Sequence, residues 1–149
     1  MRQRGLILVA LAALAALVAV AGCGGSGGSS KPLTKAEWNR QHGAAVTTVS
    51  TELDRARASL NAGNQQSIIG DCTLLRDSIT DAMKGLPVPD PVSDAALRKA
   101  LASANTGAAD CIQGGRVASN ATLNEKAMAE LMDAKGQMDL AKVALAAWR

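Results

Sequence analysis

Four stretches of the chain carry apolar residues at alternating steps of three and four, the spacing that lines one face of a helix. His42, Val46, Val49, Leu53, Ala56 and Leu60 form the first, within a helix predicted over 35–61. Ile68, Cys72, Leu75, Ile79, Ala82 and Leu86 repeat the steps between Ser67 and Leu86. Leu97, Leu101, Ala104, Ala108 and Cys111 make the third seam. The fourth is the longest and starts near Thr122: Ala127, Leu131, Ala134, Met138, Ala141, Leu145 and Trp148. No stretch alternates apolar and polar residues with period two, so no strand is predicted.

The breaks between seams carry helix-end chemistry. Thr34 with Glu37 three residues on spells a capping box, and Thr122 with Glu125 offers a second. Gly63 interrupts the run Asn61 to Gln66. Pro87-Val88-Pro89-Asp90-Pro91 bars a continuous helix, after which Ser93 and Asp94 offer caps. Gly114-Gly115 is expected to end the third helix. Short connections between four amphipathic helices argue for an all-α fold, an up-down-up-down four-helix bundle over 34–149. The alternative is three packed helices with the first as a loose arm.

Ahead of the bundle the pattern changes. Met1-Arg2-Gln3-Arg4 is a short basic head, and Gly5 to Ala21 is uncharged and almost wholly apolar. That order reads as a secretory signal. A permanent transmembrane helix is the rival, but the run of about 17 residues is at the bottom of the spanning range and ends in small residues. Its last four residues, Val20-Ala21-Gly22-Cys23, resemble the lipobox of bacterial lipoproteins. The resemblance implies that residues 1–22 are removed and that Cys23 is diacylated through its sulfur. Two acyl chains are what stable anchoring needs, since a single chain binds only marginally. The competing reading is an ordinary secretory signal that leaves Cys23 a free thiol. Residues 23–33 then form a lipidated tether, whose Gly/Ser run GGSGGSS spans roughly 15 Å r.m.s.. Taken whole, the chain also resembles the small Ala-rich helical lipoproteins of actinobacteria, a likeness of style that carries no site residue.

Charge and composition narrow the partners. The chain has 16 Lys and Arg against 13 Asp and Glu, but Arg2 and Arg4 belong to the signal, and the remainder is close to neutral. With no basic cluster, no Phe or Tyr, and two Trp, nucleic-acid binding is excluded. Once Cys23 is acylated, Cys72 and Cys111 are left, and an even pair in an exported chain is expected to be a disulfide, here between helices 2 and 3. Gly70, Gly107 and Ala108 are small neighbours that would allow the approach. Two buried free thiols are the alternative reading.

Candidate chemistry is sparse. His42 is the only histidine, with no Cys-x-x-Cys-His or Glu-x-x-His motif around it, and no Gly-x-Ser-x-Gly elbow or phosphate loop exists. No catalytic residue, cofactor or metal ligand is assigned. Met128, Met132 and Met138 read as core filling, and Asp77, Asp81, Asp90 and Asp94 as a solvated face. Trp38 and Trp148 belong to the bundle end that carries the tether; plugs for that end, interfacial anchors and walls of a ligand pocket all fit. The function expected is that of a non-catalytic protein, lipid-anchored outside the cytoplasmic membrane and binding an envelope protein or wall component. The alternative is a small-ligand or haem binder using Trp38, His42 and Trp148.

Overall fold

A computed structural model describes residues 31–117 and 121–149. The signal, the lipobox with Cys23 and the Gly/Ser tether lie outside the described residues. The rest is all-helical: α1 Lys35–Ala62, α2 Gln65–Met83, α3 Pro91–Arg116 and α4 Ala121–Ala147. Each helix packs against the next, and α1 closes the ring against α4. The described residues thus form an up-down-up-down bundle with α1 docked. Among the described residues no helix is long and apolar enough to cross a membrane.

The predicted seams are the core. Val46, Val49, Leu53, Ala56 and Leu60 of α1 are buried, as are Ile68, Cys72, Leu75, Ile79 and Ala82 of α2. Leu97, Leu101, Ala104, Ala108 and Cys111 of α3 meet Ala127, Leu131, Ala134, Met138, Ala141 and Leu145 of α4 in the same interior. So many alanines leave little apolar area per residue, and close helix approach makes up for it. Gly107 shows the mechanism, since a Cβ there would stand 2.8 Å from Leu131 Cδ2 and 3.2 Å from its backbone nitrogen. No side chain fits between α3 and α4 at that level.

The ends follow local chemistry. Thr34 Oγ1 accepts the Glu37 N–H at 3.3 Å, and Glu37 Oε2 accepts the Thr34 N–H at 2.8 Å, a complete capping box. Gly63 ends α1 in the left-handed region, φ 69°, where only glycine is unstrained. Asn64 then caps α2 by accepting the Ser67 N–H at 3.0 Å.

Three expected boundaries need correction. The cap of α3 is Asp90, not Ser93 or Asp94: its Oδ2 accepts from Ser93 N–H at 2.8 Å and from Ser93 Oγ at 2.6 Å. Pro91 is therefore the first residue of the helix, where its missing N–H costs nothing and its fixed φ helps. Asp94 instead accepts the Val88 N–H at 2.8 Å and pairs with Arg98 at 2.7 Å. Gly114-Gly115 does not end α3, which runs on to Arg116 with both glycines buried. A Cβ on Gly115 would lie 2.8 Å from Ile69 Cγ1, so the pair serves close packing rather than termination. Thr122 lies inside α4, not at its cap.

Cys72 and Cys111 are bridged, with Cα atoms 6.1 Å apart, joining α2 to α3. Two of the three small residues expected to permit this are differently used. Gly70 is exposed and faces open space, Gly107 faces α4, and the α2–α3 approach relies on Gly115 against Ile68 and Ile69. A tight turn would set Cys72 against a residue well before Cys111. Connection 84–90 supplies the offset by running beyond the end of α2 before α3 begins.

Candidate functional site

The bundle end holding the start of α1 and the end of α4 brings three predicted site residues together. Trp38 and Trp148 meet edge to face with ring centroids 6.2 Å apart, and the Trp38 and His42 rings lie 5.6 Å apart. Both geometries suit the aromatic quadrupole. Trp38 is 1% exposed, while His42 and Trp148 are half-buried. An up-down topology puts these residues at one end, because an even number of antiparallel helices returns the last terminus to the first.

The cluster is closed by its own chain. Trp38 Nε1 donates to Gly85 O at 2.8 Å, satisfying the one polar atom of the indole. Gly85 is packed so tightly on His42 that a Cβ would lie 2.9 Å from both His42 Cβ and Cγ. Lys35 Nζ reaches across to donate to Ala146 O and Trp148 O, each at 2.8 Å. Those are carbonyls a helix C-terminus leaves unpaired, and a cation there also opposes the negative end of the α4 dipole. The interior between the rings is occupied by the rings themselves, the arrangement of a plug.

The other candidates separate. Met138 is fully buried and Met128 half-buried, but Met132 is 55% exposed, so core filling does not account for it. Asp77 and Asp81 are exposed and border a shallow groove between α1 and α2 with Ala45, Thr48, Glu52 and Leu74. Asp90 and Asp94 are committed to the start of α3. Hydrogen bonds from Ser93 hold the Asp90 carboxyl below the usual carboxylate range. Among the described residues no three His, Cys, Asp or Glu are placed to hold a metal.

One feature of α4 is not among the predicted seams. Opposite its buried seam lies a second apolar set: Ala129, Met132, Gly136, Leu140, Val143 and Ala147, all exposed. Leu140 is 62% and Val143 66% exposed. The steps are three, four, four, three and four, so the signal is present in the sequence. It is masked because a helix apolar on both faces shows no single amphipathic direction, and the longer, more regular seam claims the pattern. Charges flank the outer stripe. Lys135 pairs with Asp139 at 2.8 Å, holding that carboxyl below its ordinary value, and Lys126 pairs with Asp110 of α3 at 2.9 Å.

No protein-family model, no curated protein and no solved structure matches this chain.

Proposed function

We propose that this chain is a non-catalytic, lipid-anchored helical protein on the outer side of the cytoplasmic membrane, binding an envelope protein or wall component through its surface. The observation that carries the binding reading is the outer face of α4, where Met132, Leu140 and Val143 stand more than half exposed on one helix. Three such side chains in one line leave an apolar patch of roughly 300 Å², a size at which monomer patches are commonly functional. The membrane attachment rests on the resemblance of Val20-Ala21-Gly22-Cys23 to a lipobox.

A surface reading is favoured over an interior one by the plug. A small ligand or haem between Trp38, His42 and Trp148 would have to displace a buried indole and break its bond to Gly85 O. The decisive experiment is mass spectrometry on protein extracted from its own membrane. The denatured mass should show cleavage before Cys23, added acyl chains and the loss of two hydrogens at Cys72–Cys111. The native mass should exceed it by a protein-sized partner. Retention of residues 1–22 without lipid would overturn the anchor, and an excess equal to a discrete small molecule would overturn the surface reading.

A further inference from the structure

We propose that the outer face of α4 is a self-association surface, on which a second copy of this chain packs its own α4 in parallel about a two-fold axis. The proposal deepens the surface-binding reading above, and the local concentration that populates the contact rests on the lipid anchor.

The geometry of the stripe is the first argument. At 100° per residue, Ala129, Met132, Gly136, Leu140, Val143 and Ala147 fall within roughly 80° of arc, centred on Gly136 and opposite the buried seam. That is the width of a two-helix contact, too narrow to wrap a sheet or a third helix. Gly136 is helix-interior and exposed, and a Cβ there would meet nothing within 4 Å. Within one copy it packs against nothing, yet it weakens the helix as glycine does. At the centre of a helix–helix crossing the same residue lets two backbones approach closely, with Met132 and Leu140 one turn to either side.

Charge complementarity selects a second copy and its direction. Asp133, which accepts the Ser103 hydroxyl at 3.2 Å, flanks the stripe on one side, and the Lys135–Asp139 ion pair flanks it on the other. In a parallel pair related by a two-fold axis along the helices, each flank meets the opposite flank of the other copy. Asp133 then comes level, within about 3 Å along the axis, with Lys135 of the second copy, and the pairing occurs twice by symmetry. Asp139 comes beside Gln137 of the second copy, whose side-chain amide donates to it. An antiparallel pair would instead turn the two Asp133 carboxylates toward the same side of the contact. Two copies anchored through Cys23 to one membrane would each carry the tether at the start of α1, and a parallel pair brings those two starts to the same end.

Area sets the strength. One helical stripe on each side buries well under the ~1,200 Å² at which stable dimers begin, so the contact is weak in dilute solution. Confinement of both copies to one membrane raises their effective concentration enough to populate it. The surface therefore suits association that depends on anchoring, rather than a constitutive dimer.

The test is disulfide trapping in membranes expressing the full-length chain. Gly136→Cys and Val143→Cys sit on the proposed axis, and Val92→Cys, 71% exposed on α3, serves as the control. Under mild oxidation both α4 variants should give covalent dimer at least ten-fold faster than the control. Adding Gly136→Leu to Val143→Cys should abolish that difference while thermal unfolding shows the bundle intact. Equal rates at all three positions in membrane-bound protein would overturn the surface and leave the anchor standing. Trapping at 136 but not at 143 would overturn the parallel sense, because antiparallel copies hold their 143 positions about 21 Å apart. Protein found outside the membrane fraction that still traps at both positions when concentrated would retain the surface and overturn the anchor. The same protein failing to trap would overturn both.

Discussion

Gly85 is the point where the connection after α2 is pressed onto α1, and replacing it with alanine tests how the tryptophan end is held. The new methyl carbon would lie 2.9 Å from His42 Cβ and Cγ and 3.3 Å from Ala82 O. His42 Cβ is fixed to the α1 backbone and cannot turn away, so the connection must move outward by several tenths of an ångström. Forced overpacking of this kind costs about 1–3 kcal/mol. The same movement draws Gly85 O from Trp38 Nε1, now 2.8 Å away. It leaves a buried N–H unsatisfied, worth about 1–3 kcal/mol more. Gly85→Ala should therefore destabilise by about 2–6 kcal/mol. Urea unfolding of the full-length protein in detergent, followed by circular dichroism, gives the number. Tryptophan emission gives the place, since Trp38 and Trp148 are the only fluorophores of their kind, and a shift to longer wavelength should accompany the loss. Gly70→Ala is the counterpart: exposed in mid-helix with nothing within 4 Å, it should stabilise by about 1 kcal/mol. If Gly85→Ala unfolds within about 0.5 kcal/mol of the parent, with unchanged emission, packing of the connection onto α1 is not what seals that end.

Three further outcomes are expected. Reducing Cys72–Cys111, which closes a loop with sequence separation 39, should lower stability by about 4 kcal/mol on the chain-entropy argument, and should raise the urea m-value because the unfolded chain expands. A loss under about 1 kcal/mol would refute the entropic account. Thr34→Ala removes one half of the α1 capping box and should cost about 1 kcal/mol, read from thermal unfolding. Finally, Glu37, Asp90 and Asp139 have carboxyls held below their ordinary values by Thr34, Ser93 and Lys135 respectively. Their contributions are present above the ordinary values of 4.5 for Glu and 3.8 for Asp and are lost as pH falls through the lowered ones. Lys126 is raised above 10.5 by Asp110, so its contribution holds below that value and is lost as pH rises through the raised one. The part of the stability that these four groups contribute should therefore be constant from about pH 5 to 10 and fall on both sides; removing all four partners by substitution without changing the profile outside that range would show that other groups govern it.

Local pattern alone makes the helices and the core legible. The three-four spacing places Val49, Leu53, Leu75, Leu97, Leu131 and Met138 on buried faces, and all six have 0% exposure. The capping box at Thr34 and Glu37 is readable for the same reason: its partners are three residues apart and the backbone fixes their geometry. The meeting of Trp38 and Trp148 at one end follows from up-down topology, whereas the pairing of Cys72 with Cys111 also needs the register offset that connection 84–90 supplies.

How closely those helices approach, and which faces remain bare, depends on packing between elements distant in sequence. Gly114 and Gly115 carry the signature of a helix end, yet α3 continues through them, because contact with Asn124 and Ile69 outweighs their intrinsic weakness in a helix. The cap of α3 falls to Asp90 within a run of prolines, where the value of Pro91 depends on its being the first residue rather than an interior one. Met132, Leu140 and Val143 are as apolar as the core residues beside them in sequence. Apolar character is a property of the residue, whereas burial is a property of what stands opposite. Residue order thus suffices for the helices, the seams and the meeting of Trp38 and Trp148 at one end; the packed bundle was needed to show that Gly85 closes that end, and that one face of α4 has nothing opposite it among the described residues.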